Sequence, residues 1–140
     1  MSNIGVVKEF EDAPQIMGDF FQLQQVFLNL INNAVYAIKD AFGKGRIIVR
    51  TKVIEQPTVG SRQSAVRVEF ENDGPSIPEE IRQKIFEPFF TTKGEKGTGL
   101  GLNVSAMIIQ EHGGRLWVES PCLEQRGARF IIEIPIYKKI

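Results

Sequence analysis

A long amphipathic helix is the feature of this sequence that most constrains its fold. Asp19 is a suitable N-cap for the helix, Gln22 completes a capping-box-like pair with it, and Gly43 and Gly45 end it. Apolar residues recur between these ends at steps of three and four positions: Leu23, Val26, Phe27, Leu30, Ile31, Ala34, Val35 and Ile38.

Most of the remaining segments have the pattern of strands. Strands are predicted over 4–10, 46–54, 65–70, 116–120 and 128–136, with a hairpin loop at 55–62 and further helices over 78–85 and 101–111. Consecutive strands without a helix between them favour a mixed, mostly antiparallel sheet over a doubly wound one. We therefore expect an α+β fold, a two-layer sandwich with helices packed on one face of the sheet.

Length and composition limit the classes of function. The chain has 140 residues, which indicates one domain over 1–140, and its formal net charge is zero. A neutral chain lacks the bulk charge that grips nucleic acid or an anionic membrane, so neither partner is expected. The single Cys122 allows no internal disulfide, and no apolar run approaches the ~20 residues that span a bilayer. We expect a cytoplasmic domain, whose full-length protein could still carry a membrane anchor elsewhere.

The long helix contains several asparagines. Asn29, Asn32 and Asn33 lie in its middle although Asn is a poor helix former, and Gln25, Asn29 and Asn33 form one polar stripe at four-residue steps. An amide oxygen beside a buried face can ligate a hard cation such as Mg²⁺ or hold a phosphate. A solvated polar edge is the alternative, and the stripe alone favours it.

Two loops have compositions that suit a nucleotide. Residues 71–78 follow a strand, and a carboxylate or amide beside Gly74 can face a flat heterocycle, although a plain turn explains the same residues. Farther on, Gly94, Gly97, Gly99 and Gly101 lead into a helix, with Lys93 and Lys96 nearby. Glycine backbone and a helix N-terminus together suit a phosphate, whereas the spacing matches neither a Walker loop nor the dinucleotide fingerprint. A flexible linker that caps the helix remains the alternative.

An aromatic segment precedes those glycines. Residues 85–93 contain Phe86, Phe89 and Phe90, which is unusual for a stretch that becomes polar and Gly-rich. Such residues could pack a mobile lid onto the core or meet a partner, or they could simply fill the core, as at least one of them is expected to do.

In this order, the four segments resemble the motifs of sensor histidine kinases. Residues 25–34 resemble the N box, residues 72–78 the first glycine box, residues 86–93 the F box and residues 97–102 the second glycine box. Ile109 to Trp117, around His112-Gly113-Gly114, is similar to the helix-to-strand turn of the family. The resemblance covers roughly Ile4 to Pro135.

The resemblance implies the Bergerat α/β sandwich and a site for ATP and Mg²⁺. Asn33 would bind the metal, Asn29 would lie near the phosphates, Lys93 would be a further catalytic contact, and residues 86–99 would form a mobile ATP lid. The implied nucleotide contacts are Asn29, Asn33, Ala37, Asn72, Asp73, Gly74, Ile77, Phe90, Thr92, Lys93, Gly97, Thr98, Gly99, Leu100, Gly101 and Leu102.

This chain departs from the family pattern at two positions. Asn72 stands where an adenine-binding Asp is usual, and Ser76 stands where a second Gly is usual. An amide keeps a carbonyl oxygen that can accept from the adenine amino group, and the neighbouring Asp73 could substitute for it.

The resemblance also implies the reaction and its partners. The domain would transfer the γ-phosphate of ATP to a histidine on a separate dimerisation domain, absent here. A response regulator receiver domain would be the second partner. Asn29 stands where hydrolysing relatives carry a Glu, and an amide is no general base, so hydrolysis would be slow. His112 lies in a turn and is expected to be structural. A protein serine kinase of the same fold, such as an anti-sigma factor, and a non-catalytic nucleotide sensor are the alternatives.

Overall fold

The structure, a computed structural model, describes residues 3–10, 19–58, 61–88 and 101–136. Two short 3₁₀ turns, Glu79–Ile81 and Lys84–Phe86, follow the third strand. The principal elements are β1 (Asn3–Phe10), α1 (Phe20–Ala41), β2 (Lys44–Thr58), β3 (Ser61–Asn72), α2 (Gly101–Glu111), β4 (Arg115–Glu119) and β5 (Ala128–Pro135).

The strands form one five-stranded sheet in the order β1-β2-β3-β5-β4. β1 runs parallel to β2, and the other neighbouring pairs are antiparallel, as the sequence predicts. In the register of β3, Asn72 pairs with Ile47 on one side and with Ala128 on the other. The last residue of β3 therefore lies in the middle of the sheet.

Helix α1 covers one face of the sheet, which confirms the two-layer α+β prediction. Its apolar stripe packs against alternate residues of the strands, and Phe27 lies 5.8 Å from Phe70 between ring centroids. Neither described helix combines the length and the apolar character that crossing a membrane requires. The buried cluster between the layers contains Leu23, Val26, Leu30, Ala34, Ile38, Ile47, Val49, Val66, Val68, Phe70, Ile85, Ile108, Ile109, Ala128, Phe130, Ile132 and Ile134.

Charged side chains cover the opposite face of the sheet. Arg50 bonds Glu9 of β1 at 2.8 Å and Glu71 of β3 at 3.1 Å, and Arg129 of β5 bonds Glu71 at 2.6 Å. Nearby, Arg115 lies over the ring of Trp117 at 4.1 Å. The carboxylate of Glu71 is buried, and its two arginine partners compensate the cost of removing it from water.

The start of α1 differs from the predicted reciprocal capping box. The side chain of Asp19 accepts from the backbone N–H of Gln22 at 3.1 Å, as expected of an N-cap. The backbone N–H of Asp19, however, donates to Nε2 of His112 at 3.0 Å instead of to Gln22. At the other end, the N–H groups of Phe42 and Gly43 both donate to the carbonyl of Ile38, which ends the helix beside Gly43 as predicted.

Two local predictions are wrong. Residues 55–58 and 61–62, predicted as loop, are paired residues of β2 and β3. Pro57 is compatible with this pairing because only Lys44–Thr51 of β2 pair with β1, so position 57 needs no ladder bond to β1. Residues 78–85 form 3₁₀ turns rather than one helix. The N–H groups of Ile81, Arg82 and Glu87 donate to carbonyls three residues earlier, so no α-helical turn is closed.

Candidate functional site

The turn that follows β3 is built around the side chain of Asn72. Asn72 is 3% exposed, and its Oδ1 accepts from the backbone N–H of Gly74 at 2.9 Å. A Cβ atom at Gly74 would lie 2.9 Å from that same Oδ1 and 3.6 Å from the carbonyl carbon of Ala37. Glycine at this position therefore lets the turn approach α1 closely.

Asp73 is directed toward the neighbouring strand instead. Its Oδ1 accepts from the backbone N–H of Arg46 at 2.7 Å, and its own N–H donates to the carbonyl of Arg46 at 3.2 Å. These bonds extend the β2–β3 pairing by one residue. Because adjacent side chains on a strand alternate between faces, Asn72 shares the helix-covered face with Phe70, whereas Asp73 is held at the end of β2.

The loop between β4 and β5 holds the same turn from its other side. The hydroxyl of Ser120, which is buried, accepts from the N–H of Ile77 at 2.8 Å and donates to the carbonyl of Gly127 at 2.7 Å. The N–H of Gly127 donates in turn to the carbonyl of Gly74 at 2.8 Å. The predicted contacts Gly74 and Ile77 are thus fixed by Ser120 and Gly127, which lie outside the four segments with nucleotide-binding patterns.

The outer face of the sheet stabilises the end of β3 through Glu71. Burial alone would raise the pKa of the Glu71 carboxyl, but the hydrogen bonds and charges of Arg129 and Arg50 outweigh burial, so the pKa lies below its ordinary value. Glu71 is therefore ionised and bonded on both sides at neutral pH. The bonds of Glu71 to Arg50 and Arg129 stabilise the end of β3, which carries Asn72.

Helix α1 connects this turn to the start of α2. Nδ2 of Asn29 lies 3.5 Å from the carbonyl oxygen of Gly101 and 3.3 Å from the hydroxyl of Ser105. Ala37, which the Asn72–Gly74 turn approaches, lies eight residues farther along α1, or about 12 Å at 1.5 Å per residue. Asn33, half-buried, is one turn from each end of this stretch. Asn29 and Asn33 of the predicted polar stripe therefore lie along α1 between the turn and the start of α2.

The structure brings together only part of the predicted site. Gly101 and Leu102 form the first turn of α2, Leu102 packs against the core, and no described atom lies within 4 Å of a Cβ placed on Gly101. Phe86 fills the core as predicted for at least one phenylalanine, with its ring centroid 6.2 Å from that of Phe130. The remaining predicted contacts lie outside the described residues: Phe90, Thr92, Lys93, Gly97, Thr98, Gly99 and Leu100.

Several residues that shape this site have weak sequence signals. Ser120 and Gly127 lie in a loop whose composition predicts only a turn, and Arg46 contributes a backbone N–H, which any residue type supplies. Ser105 is the one exception, since a serine inside an apolar helical segment is unusual enough to draw attention. Among the described residues, no group of three His, Cys, Asp or Glu side chains could hold a metal ion.

Comparison with known proteins identifies the family of this chain. Residues 18–138 match the family described as histidine kinase-, DNA gyrase B-, and HSP90-like ATPase. The sensory histidine kinase/phosphatase NtrB of Rhodobacter capsulatus is 42% identical over 121 residues, which cover 82% of this chain and 33% of that protein. This chain therefore spans about a third of the length of that relative.

Solved structures of histidine kinases have the same fold. The nucleotide-free catalytic domain of histidine kinase ThkA is 40% identical, with a TM-score of 0.76 over 96% of this chain and 81% of that one. Full-length ShkA in complex with AMPPNP is 26% identical, with a TM-score of 0.76 over 99% of this chain and 27% of that one. ThkA in complex with the response regulator protein TrrA is 34% identical, with a TM-score of 0.69 over 97% and 35%. The chain belongs to the histidine kinase-, DNA gyrase B-, and HSP90-like ATPases, and within that family it matches the catalytic ATP-binding domain of sensor histidine kinases.

Proposed function

We propose that this domain binds ATP with Mg²⁺ and transfers the γ-phosphate to a histidine of a separate dimerisation domain in two-component signalling. The observation that carries the proposal is the course of α1, which meets the Asn72–Gly74 turn at Ala37 and the start of α2 at Asn29. A base at the turn and phosphates at α2 would then lie along one helix. The likeness to ShkA bound to AMPPNP, an ATP analogue, supports this assignment.

The base would be recognised by Asn72 rather than by Asp73. Oδ1 of Asn72 accepts one hydrogen bond from Gly74 and has a second lone pair for the amino group of adenine. The carboxylate of Asp73 is bonded to the backbone of Arg46 at the end of β2. The departure from Asp at position 72 therefore keeps the acceptor and removes only its charge.

The phosphates would lie between α1 and the N-terminus of α2. A helix N-terminus favours an anion through its dipole and its free N–H groups, and Gly101 leaves space there among the described atoms. We assign Asn33 as the metal ligand and Asn29 as a neighbour of the phosphates. The contacts of Phe90, Thr92, Lys93, Gly97, Thr98, Gly99 and Leu100 within a lid over 86–99 stay predictions.

The residues present suit transfer better than hydrolysis. Mg²⁺ would neutralise phosphate charge, and the protein would align the γ-phosphate for an incoming nucleophile. Asn29 cannot remove a proton from water, so the site lacks a general base at that position. His112 is no acceptor for the phosphate, because its two ring nitrogens are bonded to Asp19 and Ile108. The nucleophile would therefore come from another domain, and the domain alone would not phosphorylate itself.

The partners and the location follow from this reaction. The acceptor would be the dimerisation domain of the same kinase, and the phosphohistidine would serve a response regulator receiver domain, as the ThkA–TrrA complex suggests. A reaction that consumes ATP belongs in the cytoplasm. The comparisons do not favour a serine kinase or a non-catalytic sensor, since the relatives named above are histidine kinases.

Calorimetry and phosphotransfer test the proposal together. The 140-residue chain should bind ATP saturably with Mg²⁺, and Asn33→Ala should weaken binding in the presence of the metal more than in EDTA. With γ-labelled ATP, label should appear on a supplied histidine-bearing dimerisation domain and not on this chain. No saturable binding by a folded sample would contradict the proposal, and so would label on the chain alone.

A further inference from the structure

Ser105 occupies an unusual position for a hydroxyl group. It lies in the second turn of α2, is 0% exposed, and is the buried polar residue of that helix. Its Oγ is 3.3 Å from Nδ2 of Asn29 on the facing helix. Burying a hydroxyl without a partner is unfavourable, and the contact with Asn29 offsets that penalty.

The two contacts of Asn29 fix which way its amide faces. The carbonyl oxygen of Gly101 can only accept a hydrogen bond, so the group that faces it at 3.5 Å must be the NH₂ of Asn29 and not the oxygen. The hydroxyl of Ser105 accepts from the same NH₂. Because the amide is planar, Oδ1 of Asn29 is directed away from α2. The carbonyl of Gly101 thus selects one of the two flip states of the amide, and the hydroxyl of Ser105 adds a second hydrogen bond to the NH₂ group in that state.

We propose that Ser105 is a positioning residue that holds the Asn29 amide with its oxygen presented to the cation, or to a cation-bound water, beside the nucleotide phosphates. This inference rests on the proposed function and adds a residue to that site. A divalent cation and its waters interact favourably with a carbonyl oxygen and unfavourably with an NH₂ group. Ser105 itself touches neither ligand and acts only through Asn29.

The role predicts an effect that depends on the metal. Ser105→Ala removes the acceptor for one N–H of Asn29 and leaves the amide held only by its 3.5 Å contact with the carbonyl of Gly101, so its orientation is less restricted. One hydrogen bond contributes about 0.5–1.5 kcal/mol, so affinity for ATP with Mg²⁺ should fall about twofold to tenfold. Affinity for ATP in EDTA should change less than about twofold, because the orientation of the Asn29 amide affects binding only when the cation is present.

A size-matched variant separates the hydrogen bond from packing. Ser105→Cys fills the same space with a group that accepts hydrogen bonds weakly, so it should bind like Ser105→Ala. Met107→Ala, on the exposed side of α2, should bind like the unaltered protein and controls for general disturbance of the helix. In the Asn29→Ala background, Ser105→Ala should have no further effect on affinity.

Two measurements decide the outcome. Calorimetry gives the affinities with Mg²⁺ and with EDTA, and NMR of the nucleotide-free protein follows the side-chain NH₂ resonances of Asn29, which should move in Ser105→Ala and Ser105→Cys but not in Met107→Ala. Wild-type affinity in Ser105→Cys, or an equal loss in the Asn29→Ala background, would overturn the role of Ser105 and leave the proposed function intact. Absence of saturable binding by the wild-type chain would overturn both.

Discussion

The imidazole of His112 accepts a hydrogen bond from the backbone N–H of Asp19, the N-cap residue of α1, at 3.0 Å from Nε2 to N. Its other nitrogen, Nδ1, lies 2.7 Å from the carbonyl oxygen of Ile108 and donates to it. With Nδ1 as donor and Nε2 as acceptor, the ring connects the C-terminus of α2 to the N-terminus of α1. A second contact joins the same two helices, between Asn29 in the middle of α1 and Ser105 in the second turn of α2. The helices are thus joined at two separate points.

Replacing His112 should loosen this pair. His112→Phe keeps a ring of similar shape but loses both hydrogen bonds and leaves the N–H of Asp19 without this partner. We expect the free energy of unfolding to fall by about 2 kcal/mol, measured by urea denaturation. Glu111→Ala, at the exposed neighbouring position, should change it by less than about 0.5 kcal/mol. Equal stability of His112→Phe and the unaltered chain would exclude a role for the ring in joining the helices.

The architecture follows from the sequence because each of its signals is periodic. The apolar stripe from Leu23 to Ile38 specifies which face of α1 is buried, and uninterrupted strand pairs specify an antiparallel-rich sheet. The errors occur where long-range contacts decide the outcome. Asp19 bonds a residue 93 positions away, and no local pattern indicates that His112 replaces the Gln22 side chain in capping its N–H.

Gly114 lies in the short connection between α2 and β4, where the chain passes close to β5. A Cβ atom at this position would overlap the carbonyl oxygen of Glu133 in β5, which is backbone and cannot rotate away. Gly114→Ala should therefore displace the start of β4 and lower the free energy of unfolding by about 3 kcal/mol or more, seen as a lower midpoint in thermal and urea melts.

Gly5 in β1 is the matched control for that substitution. Gly5 lies within a strand, whereas Gly114 directly precedes one, and no described atom lies within 4 Å of a Cβ placed on Gly5. Gly5→Ala should be neutral or stabilising by up to about 1 kcal/mol, because it restricts the unfolded chain at no steric cost. If both variants melt like the unaltered protein, the close approach at Gly114 does not constrain the fold.

The ion-pair network around Glu71 should make stability depend on pH. Because the pKa of Glu71 is lower in the folded protein than its ordinary value of 4.5, its contribution to stability is complete above that value and is lost as the pH falls through the folded pKa. Glu71→Gln should cost about 2 kcal/mol at neutral pH, and the difference from the unaltered protein should shrink below pH 4.5.

The measurement is the free energy of unfolding in urea between pH 7 and pH 3. Glu119→Gln serves as the control, because Glu119 is 53% exposed and lies 3.5 Å from Arg129, so solvent screens the pair. That variant should follow the pH profile of the unaltered chain. A difference for Glu71→Gln that stays constant, or grows, down to pH 3 would show that Glu71 is not held ionised by Arg129 and Arg50.

The residue types of the candidate site could be predicted from the sequence, whereas much of the geometry of the site could not. The asparagines of α1 and the glycines of the loops stand out, because each residue type is unfavourable where it lies unless it has a functional role. Spacing alone could not decide between Asn72 and Asp73, because the choice depends on the bonds that each side chain makes, and Asp73 is bonded to the backbone of Arg46. For Ser105 the sequence shows only that a hydroxyl lies in a helix. Its contact with Asn29 depends on how α1 packs against α2, which the sequence does not specify.

Recognition of the base should therefore depend on Asn72 and not on Asp73. The readout is the ratio of affinities for ATP and for inosine triphosphate, which lacks the 6-amino group, measured by calorimetry with Mg²⁺. Asn72→Asp retains an acceptor and should keep the preference for ATP, whereas Asn72→Ala should reduce it about tenfold. Asp73→Ala should lose about 1 kcal/mol of folding stability through Arg46 and keep the preference. The opposite pattern, with the preference lost only in Asp73→Ala, would mean that the base approaches the end of β2. Because the ratio compares two ligands on one variant, partial unfolding of Asn72→Ala lowers both affinities and leaves the ratio unchanged.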